Sequence, residues 1–153
     1  MEEETSASIC RYRPEIRFSD IDAAGIVNNA VMMTYLEQAR IELFGEIAGE
    51  DWDWGKAGAV VARHEVDYIA PIPFQAQVEI VTWVEAVGRS SMTVEYEVAL
   101  RKSKGWTIVA KARTVLVSYD LIAKRSIPLH AIWRKNLDQL NLGRPENIWP
   151  SQV

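Results

Sequence analysis

Hydrophobic residues change rhythm along this chain, and each change marks a different kind of element. From Tyr12 to Ser19 they alternate, with Ile16 and Phe18 facing one way and Arg17 and Ser19 the other, so a strand is expected. A turn follows at Asp20-Ile21-Asp22-Ala23-Ala24-Gly25, built of residues that favour tight backbone geometry. Between Asn29 and Ile47 the spacing becomes three and four. Met32, Tyr35, Leu36, Ala39, Leu43 and Ile47 then share one face of a long helix. Met33, Ile41 and Phe44 lie off that stripe, so the helix is apolar over more than half its circumference and predicts burial on several sides. Asn28 or Asn29 suits its N-cap, and Gly45 or Gly49 its end.

Glu46 to Gly58, with two Trp and a short acidic run, reads as a loop with a turn of helix. Strands then dominate. Alternation predicts one at 60–69, stopped by Pro71 and Pro73, and another at 77–85. A turn at Gly88 precedes the clearest strand, where Met92, Val94, Tyr96, Val98 and Leu100 point inward and Thr93, Glu95, Glu97 and Arg101 outward. A turn near Lys104-Gly105 leads into a strand over 106–119, and a short helix is expected from about Leu129 to Leu140. One mostly buried helix beside about five strands in antiparallel succession implies an α+β domain, a curled antiparallel sheet wrapped around one long helix. The strands at 60–69 and 106–119 are more apolar on both faces than the strand at 92–101, which makes them candidates for contact with another subunit.

At 153 residues the chain is most simply one domain at 11–141, with a flexible leader at 1–10 and a polar tail at 142–153. A net charge of -4 argues against a dedicated nucleic-acid binder. Cys10 is the only cysteine, so no intramolecular disulfide and no cysteine-based zinc site can form. An acidic, polar start and the lack of a long apolar run give the expectation of a cytoplasmic protein without a membrane span.

The segment Arg17-Phe18-Ser19-Asp20-Ile21-Asp22-Ala23-Ala24-Gly25-Ile26-Val27-Asn28-Asn29, followed by Tyr35-Leu36-Glu37-Gln38-Ala39-Arg40, resembles the 4-hydroxybenzoyl-CoA thioesterase family of hotdog-fold proteins. Asp67-Tyr68-Ile69-Ala70-Pro71 resembles that family's second strand and its exit, and Trp83 to Ser91 its next hairpin. The resemblance covers roughly residues 12–120. It implies a hotdog fold, assembled as a homodimer or homotetramer with active sites at subunit interfaces, that hydrolyses acyl- or aroyl-CoA without a metal or cofactor. It places the catalytic carboxylate on Asp22 and the carbonyl-polarising backbone N–H on Asn29. Gly25, Asn28, Glu37, Arg89 and Ser91 are the accompanying substrate-binding candidates, Arg89 as a contact for the phosphates of coenzyme A. A non-catalytic hotdog module that binds acyl thioesters or partner proteins is the alternative. Where relatives carry histidine near the helix start this chain has Ile26 and Asn28-Asn29, which ranks a hydratase last.

Elementary chemistry supports the same assignment. A helix start presents unpaired N–H groups and partial positive charge, and a thioester carbonyl placed there is stabilised as its oxygen becomes an oxyanion. A carboxylate a few residues upstream can act as nucleophile or as base for a water. Each residue also has a plainer reading. Asp20 and Asp22 suit turns and caps, and they do not open a calcium loop because Val31 stands where its last acid is needed. Glu37 can simply pair with Arg40 three residues on. His64 reads as a satisfied, partly buried strand residue and His130 as a surface one. Trp52 and Trp54 either line an acyl pocket or pack their loop down. Charges at Arg89, Arg101, Lys102 and Lys104 are those of solvated turns by default.

Overall fold

The computed structural model describes residues 9–150. Strands β1 (Ile9–Tyr12), β2 (Ala57–Tyr68), β3 (Val78–Val87), β4 (Ser91–Lys102), β5 (Gly105–Asp120) and β6 (Arg125–Ser126) form one antiparallel sheet in the order β1-β3-β4-β5-β2, with β6 beside β5. Helices α1 (Asn29–Ala48) and α2 (Ala131–Asp138) complete the domain. The curled sheet around one long helix is the architecture expected from the sequence, with a sixth, two-residue strand.

All six residues of the helical stripe are buried, as is Phe44, and they face the inward residues of β3, β4 and β5 in a single core. Asn28 is the N-cap: its Oδ1 accepts the Ala30 N–H at 2.8 Å. The helix ends at Gly49, which holds a φ of 85° that other residues adopt only with strain. Beyond it, Trp52, Trp54, Phe44 and the fully buried Trp133 of α2 stack edge to face and tilted, closing the far end of the core.

Four expectations need correction. The strand expected at 12–19 is instead β1, which ends at Tyr12, followed by extended chain and a single 3-10 turn at Phe18–Asp20. Asp20 makes that turn by accepting the Arg17 N–H at 3.0 Å, so alternation without a neighbouring strand gives way to local hydrogen bonding. The leader is shorter than expected, because Ile9 and Cys10 pair with Trp83 and Thr82 of β3; residues 1–8 lie outside the described ones. Cys10 is buried, and burial, then the charges of Glu42 and Glu46, push its thiol up to about 12, which leaves it inert.

The expected polar tail is docked rather than loose. Residues 143–149 cross the convex face of the sheet, where Ile148 is buried against Val81 and Trp83 and Trp149 packs on Trp106. Arg11 clamps the segment by donating to the Ile148 carbonyl at 2.6 Å. This strap explains why β3 is buried on both faces from Val78 to Val84. It also covers Glu97, assigned to the solvated face by alternation but found buried, which accepts from Arg144 at 3.0 Å and from Trp149 at 2.9 Å. Burial alone would raise the Glu97 carboxyl. The Arg144 and Trp149 hydrogen bonds and the charges of Arg144 and Lys111 outweigh that and hold it below the usual carboxylate range.

A carboxylate held low in the folded state contributes stability that is present above its unfolded value and lost as pH falls through the folded one. Arg144→Ala is therefore expected to cost about 1–3 kcal/mol at neutral pH by leaving buried acceptor oxygens short of donors. The difference from the native chain should shrink once the pH drops below about 4, which urea titrations at several pH values would read. A constant difference across pH would assign the loss to packing alone.

Candidate active site

The Asp22 turn is built from backbone outward. Ile21 and Val27 form a bridge that closes it, and Ile26 bridges Pro73, which ties it to the segment before β3. The Gly25 N–H donates to the Asp22 carbonyl at 3.0 Å and the Asp22 N–H to the Ile26 carbonyl at 2.9 Å. Gly25 sits at a φ of 77°, so the turn requires glycine there and no side chain crowds the approach. Asp22 is half-buried, and its Oδ1 accepts the Ala24 N–H at 2.8 Å. That bond fixes the carboxylate's orientation and engages one of its two oxygens.

The start of α1 is fastened to this turn. Asn28 N–H donates to the Asp20 carbonyl at 2.9 Å, and the Tyr35 hydroxyl donates to the Asp20 carboxylate at 2.6 Å. The Tyr35 bond, then the Arg17 N–H, hold the Asp20 carboxyl below its ordinary range. Asp20 thus serves as the structural brace expected of it, joining turn to helix. Tyr68, at the end of β2, donates its hydroxyl to the Asn29 carbonyl at 2.9 Å. With Asn28 Oδ1 engaged by Ala30, no hydrogen bond among the described residues takes up the Asn29 N–H. A cavity of about 350 Å³ opens there, lined by Ile26, Asn29, Met32, Tyr68 and Ile69 among others. Asp22, Gly25, Asn28 and Asn29 are therefore brought together at one end of the fold.

The other sequence candidates lie elsewhere. Glu37 is exposed on the outer face of α1, 3.9 Å from Arg40, which is the plain ion pair of its alternative reading. Arg89 and Ser91 stand at the β3–β4 hairpin, where Ser91 pairs with Val117 of β5. Tyr68, which touches Asn29, pairs with Ala110. Seven residues of strand separate those two registers, roughly 23 Å, so one chain does not bring Arg89 to Asp22. Trp54 does line a cavity, whereas Trp52 packs the loop by donating to the Ala57 carbonyl at 2.9 Å. Sequence reasoning missed Tyr68 as a clamp on the helix start; its place as the last residue of a strand, just before Ile69-Ala70-Pro71, was the available signal. Among the described residues no group of three or more His, Cys, Asp or Glu side chains could hold a metal. No described helix is long and apolar enough to cross a membrane.

Residues 24–105 match the sequence model of a family described as the thioesterase superfamily. The chain belongs to that superfamily. Among solved structures, it is similar to a thioesterase from Thermus thermophilus complexed with coenzyme A and Zn. The two are 38% identical, the match covers 84% of this chain and 96% of that one, and the TM-score is 0.71. PA2801 of Pseudomonas aeruginosa, a putative thioesterase, is 25% identical with a TM-score of 0.73, covering 84% and 97% of the respective chains. A 4-hydroxybenzoyl-CoA thioesterase mutant complexed with 4-hydroxybenzoyl-CoA shares the fold, at a TM-score of 0.78, 17% identity, and coverage of 85% and 99%. A curated relative, the uncharacterized protein YsmA of Bacillus subtilis strain 168, is 31% identical over 81 residues, or 53% of this chain; the match spans about half of that relative, 54%. Superfamily membership and hotdog neighbours agree with the family resemblance; the matched residues begin at Ala24 and take in α1.

Proposed function

We propose that the protein hydrolyses an acyl- or aroyl-CoA thioester to the free acid and coenzyme A. The observation that carries this reading is the oriented, half-buried Asp22 carboxylate on a turn fastened to a helix start whose Asn29 N–H is unengaged among the described residues. The thioester carbonyl oxygen accepts from that N–H, and negative charge developing on it is met by the partial positive charge of the helix. Asp22 acts either by attacking the carbonyl carbon or by taking a proton from the attacking water. In both routes the C–S bond breaks and coenzyme A leaves as the thiol. In the base route the water oxygen ends in the new carboxylic acid; in the nucleophilic route a water then cleaves the acyl–Asp22 anhydride to give the acid and the regenerated carboxylate.

Assembly completes the site in this reading. β2 is an edge strand of 12 residues whose Val60, Val61 and Tyr68 are exposed. A two-fold axis through its middle, near Ala62–Arg63, would pair it with itself and set each hairpin end against the partner's helix start. Arg89 and Ser91 of a second copy would then stand near Asp22, at the place where the phosphates of coenzyme A extend. The bound coenzyme A of the Thermus relative supports this ligand. A cytoplasmic location accords with Cys10 as the sole thiol.

The test is release of free thiol from short-chain, long-chain and aromatic acyl-CoAs, alongside the molecular mass in solution. Turnover of at least one class by a dimer or tetramer is expected. Tight binding with no thiol released from any member would replace the hydrolase with a binding module.

A further inference from the structure

Three cavities follow one another along the outer face of α1. The one at the helix start, between Asn29, Met32 and Tyr68, leads the series. Next is a cavity of about 230 Å³ between Met33, Thr34, Glu37 and Arg40 of the helix and Val61 and His64 of β2. A third, of about 400 Å³, shares Glu37, Arg40 and Val61 with it and continues past Ile41 to Phe44 and Trp54. The helix runs down as β2 runs up, so the three cavities lie in a row about 22 Å long by helical rise from Asn29 to Phe44. The second and third are joined through shared residues and the first lies beside them; this row is the groove. Its far end is apolar and aromatic. Its middle is polar.

That middle is short of partners. Arg40 has a side chain only 13% exposed, yet its guanidinium reaches just the Tyr96 hydroxyl, at 3.3 Å, and the exposed Glu37 carboxylate, at 3.9 Å. His64 Nδ1 lies 2.7 Å from Thr114 Oγ1, while its Nε2 is buried with no partner among the described residues. Burial and, after it, the Arg40 charge hold the imidazole below its ordinary pKa, which favours the neutral ring. A buried cation and an unpaired ring nitrogen are each costly to desolvate unless an oxygen is supplied.

We propose that this groove takes the acyl group, and that Arg40 and His64 select acyl chains bearing a hydroxyl part-way along, with an apolar end beyond it. A hydroxyl accepts from the guanidinium and either donates to or accepts from Nε2, whichever tautomer His64 adopts. A plain alkyl chain leaves Nε2 unpaired and Arg40 with only its long contacts to Tyr96 and Glu37. Glu37 already supplies the negative charge beside Arg40, so a neutral hydroxyl fits there better than a second carboxylate. The position of the thioester rests on the hydrolase reading above; the selection does not depend on turnover.

The experiment is isothermal titration of the Asp22→Asn chain with decanoyl-CoA and with analogues hydroxylated at successive carbons, so that no ligand is consumed. At least one hydroxylated member should bind about tenfold or more tightly than decanoyl-CoA, as expected when a buried hydrogen-bonding group gains its partner. That ratio should fall towards one when Arg40→Met or His64→Leu is added. Equal affinity for all members would overturn the proposal and assign the Arg40 charge to a partner subunit's side chains. A preference that survives both added substitutions would overturn it as well. Preference without thiol release from the native chain would sink the hydrolase and leave the selection standing; hydrolysis without preference would do the reverse.

Discussion

Asp22→Asn is expected to lower kcat for thioester hydrolysis on the order of 100- to 10,000-fold, the range lost with a positioned acid or base. The substitution is informative because the turn should survive it. The amide oxygen of Asn can accept the same Ala24 N–H that Asp22 Oδ1 accepts, and the Gly25 and Ile26 bonds involve only backbone. Stability should stay within about 0.5 kcal/mol of the native chain, so a collapse of rate cannot be blamed on unfolding. Asp20→Asn is the control from the other side. Its carboxylate braces Tyr35 and the Arg17 N–H, so the loss should register in the thermal midpoint before it registers in the rate. Hydrolysis by Asp22→Asn within tenfold of native would remove the carboxylate from the mechanism and leave the helix start as the main source of rate.

Leu36→Ala should be the most damaging of the conservative core changes on α1, at about 2–5 kcal/mol. Leu36 is 0% exposed at the centre of the buried stripe, with Met32 and Ala39 one turn to either side, so removing its branched end leaves a cavity that a packed sheet cannot collapse to fill. For a domain of this size the midpoint should fall by roughly 5–15 °C. Ile41→Ala offers a calibrated comparison. Ile41 is 54% exposed on the face of α1 away from the stripe, so in an isolated chain its loss should be near neutral. A penalty approaching that of Leu36 would show that the outer face of α1 is covered in the assembled protein. Equal, small effects at both positions would contradict the packing described for the helix.

Local patterns were legible where one physical cause acted alone. The stripe from Met32 to Ile47 and the inward set from Met92 to Leu100 each follow from a single buried face, and both lie where the alternation or helical spacing placed them. Asn28 as cap and Asp20 as brace were legible for the same reason, since capping and turn chemistry are short-range. The misreadings share a different cause. Residues 13–19 alternate but find no strand to pair with, and Arg144, Ile148 and Trp149 look like tail residues until the convex face of the sheet is there to receive them. Glu97 is buried by that distant segment, which nothing in its own strand announces. The candidate site divides the same way. Asp22 to Asn29 is contiguous in sequence and stays together in the fold, whereas Arg89 and Ser91 sit beside the opposite end of β5, roughly seven residues of strand away.

The two edges of the sheet are unequal, and that bears on what happens when these chains are concentrated. One edge is β1, described over four residues, carrying Arg11 with Arg13 just beyond it, both drawn across to Glu79. The other is β2, 12 residues long. Over the described residues, head-to-tail stacking would join four residues of edge to twelve, whereas self-pairing matches the long edge to itself over its whole length. Self-pairing of the long edges uses up the reactive surface in one event. An association that stops at the first encounter is thereby favoured over one that polymerises.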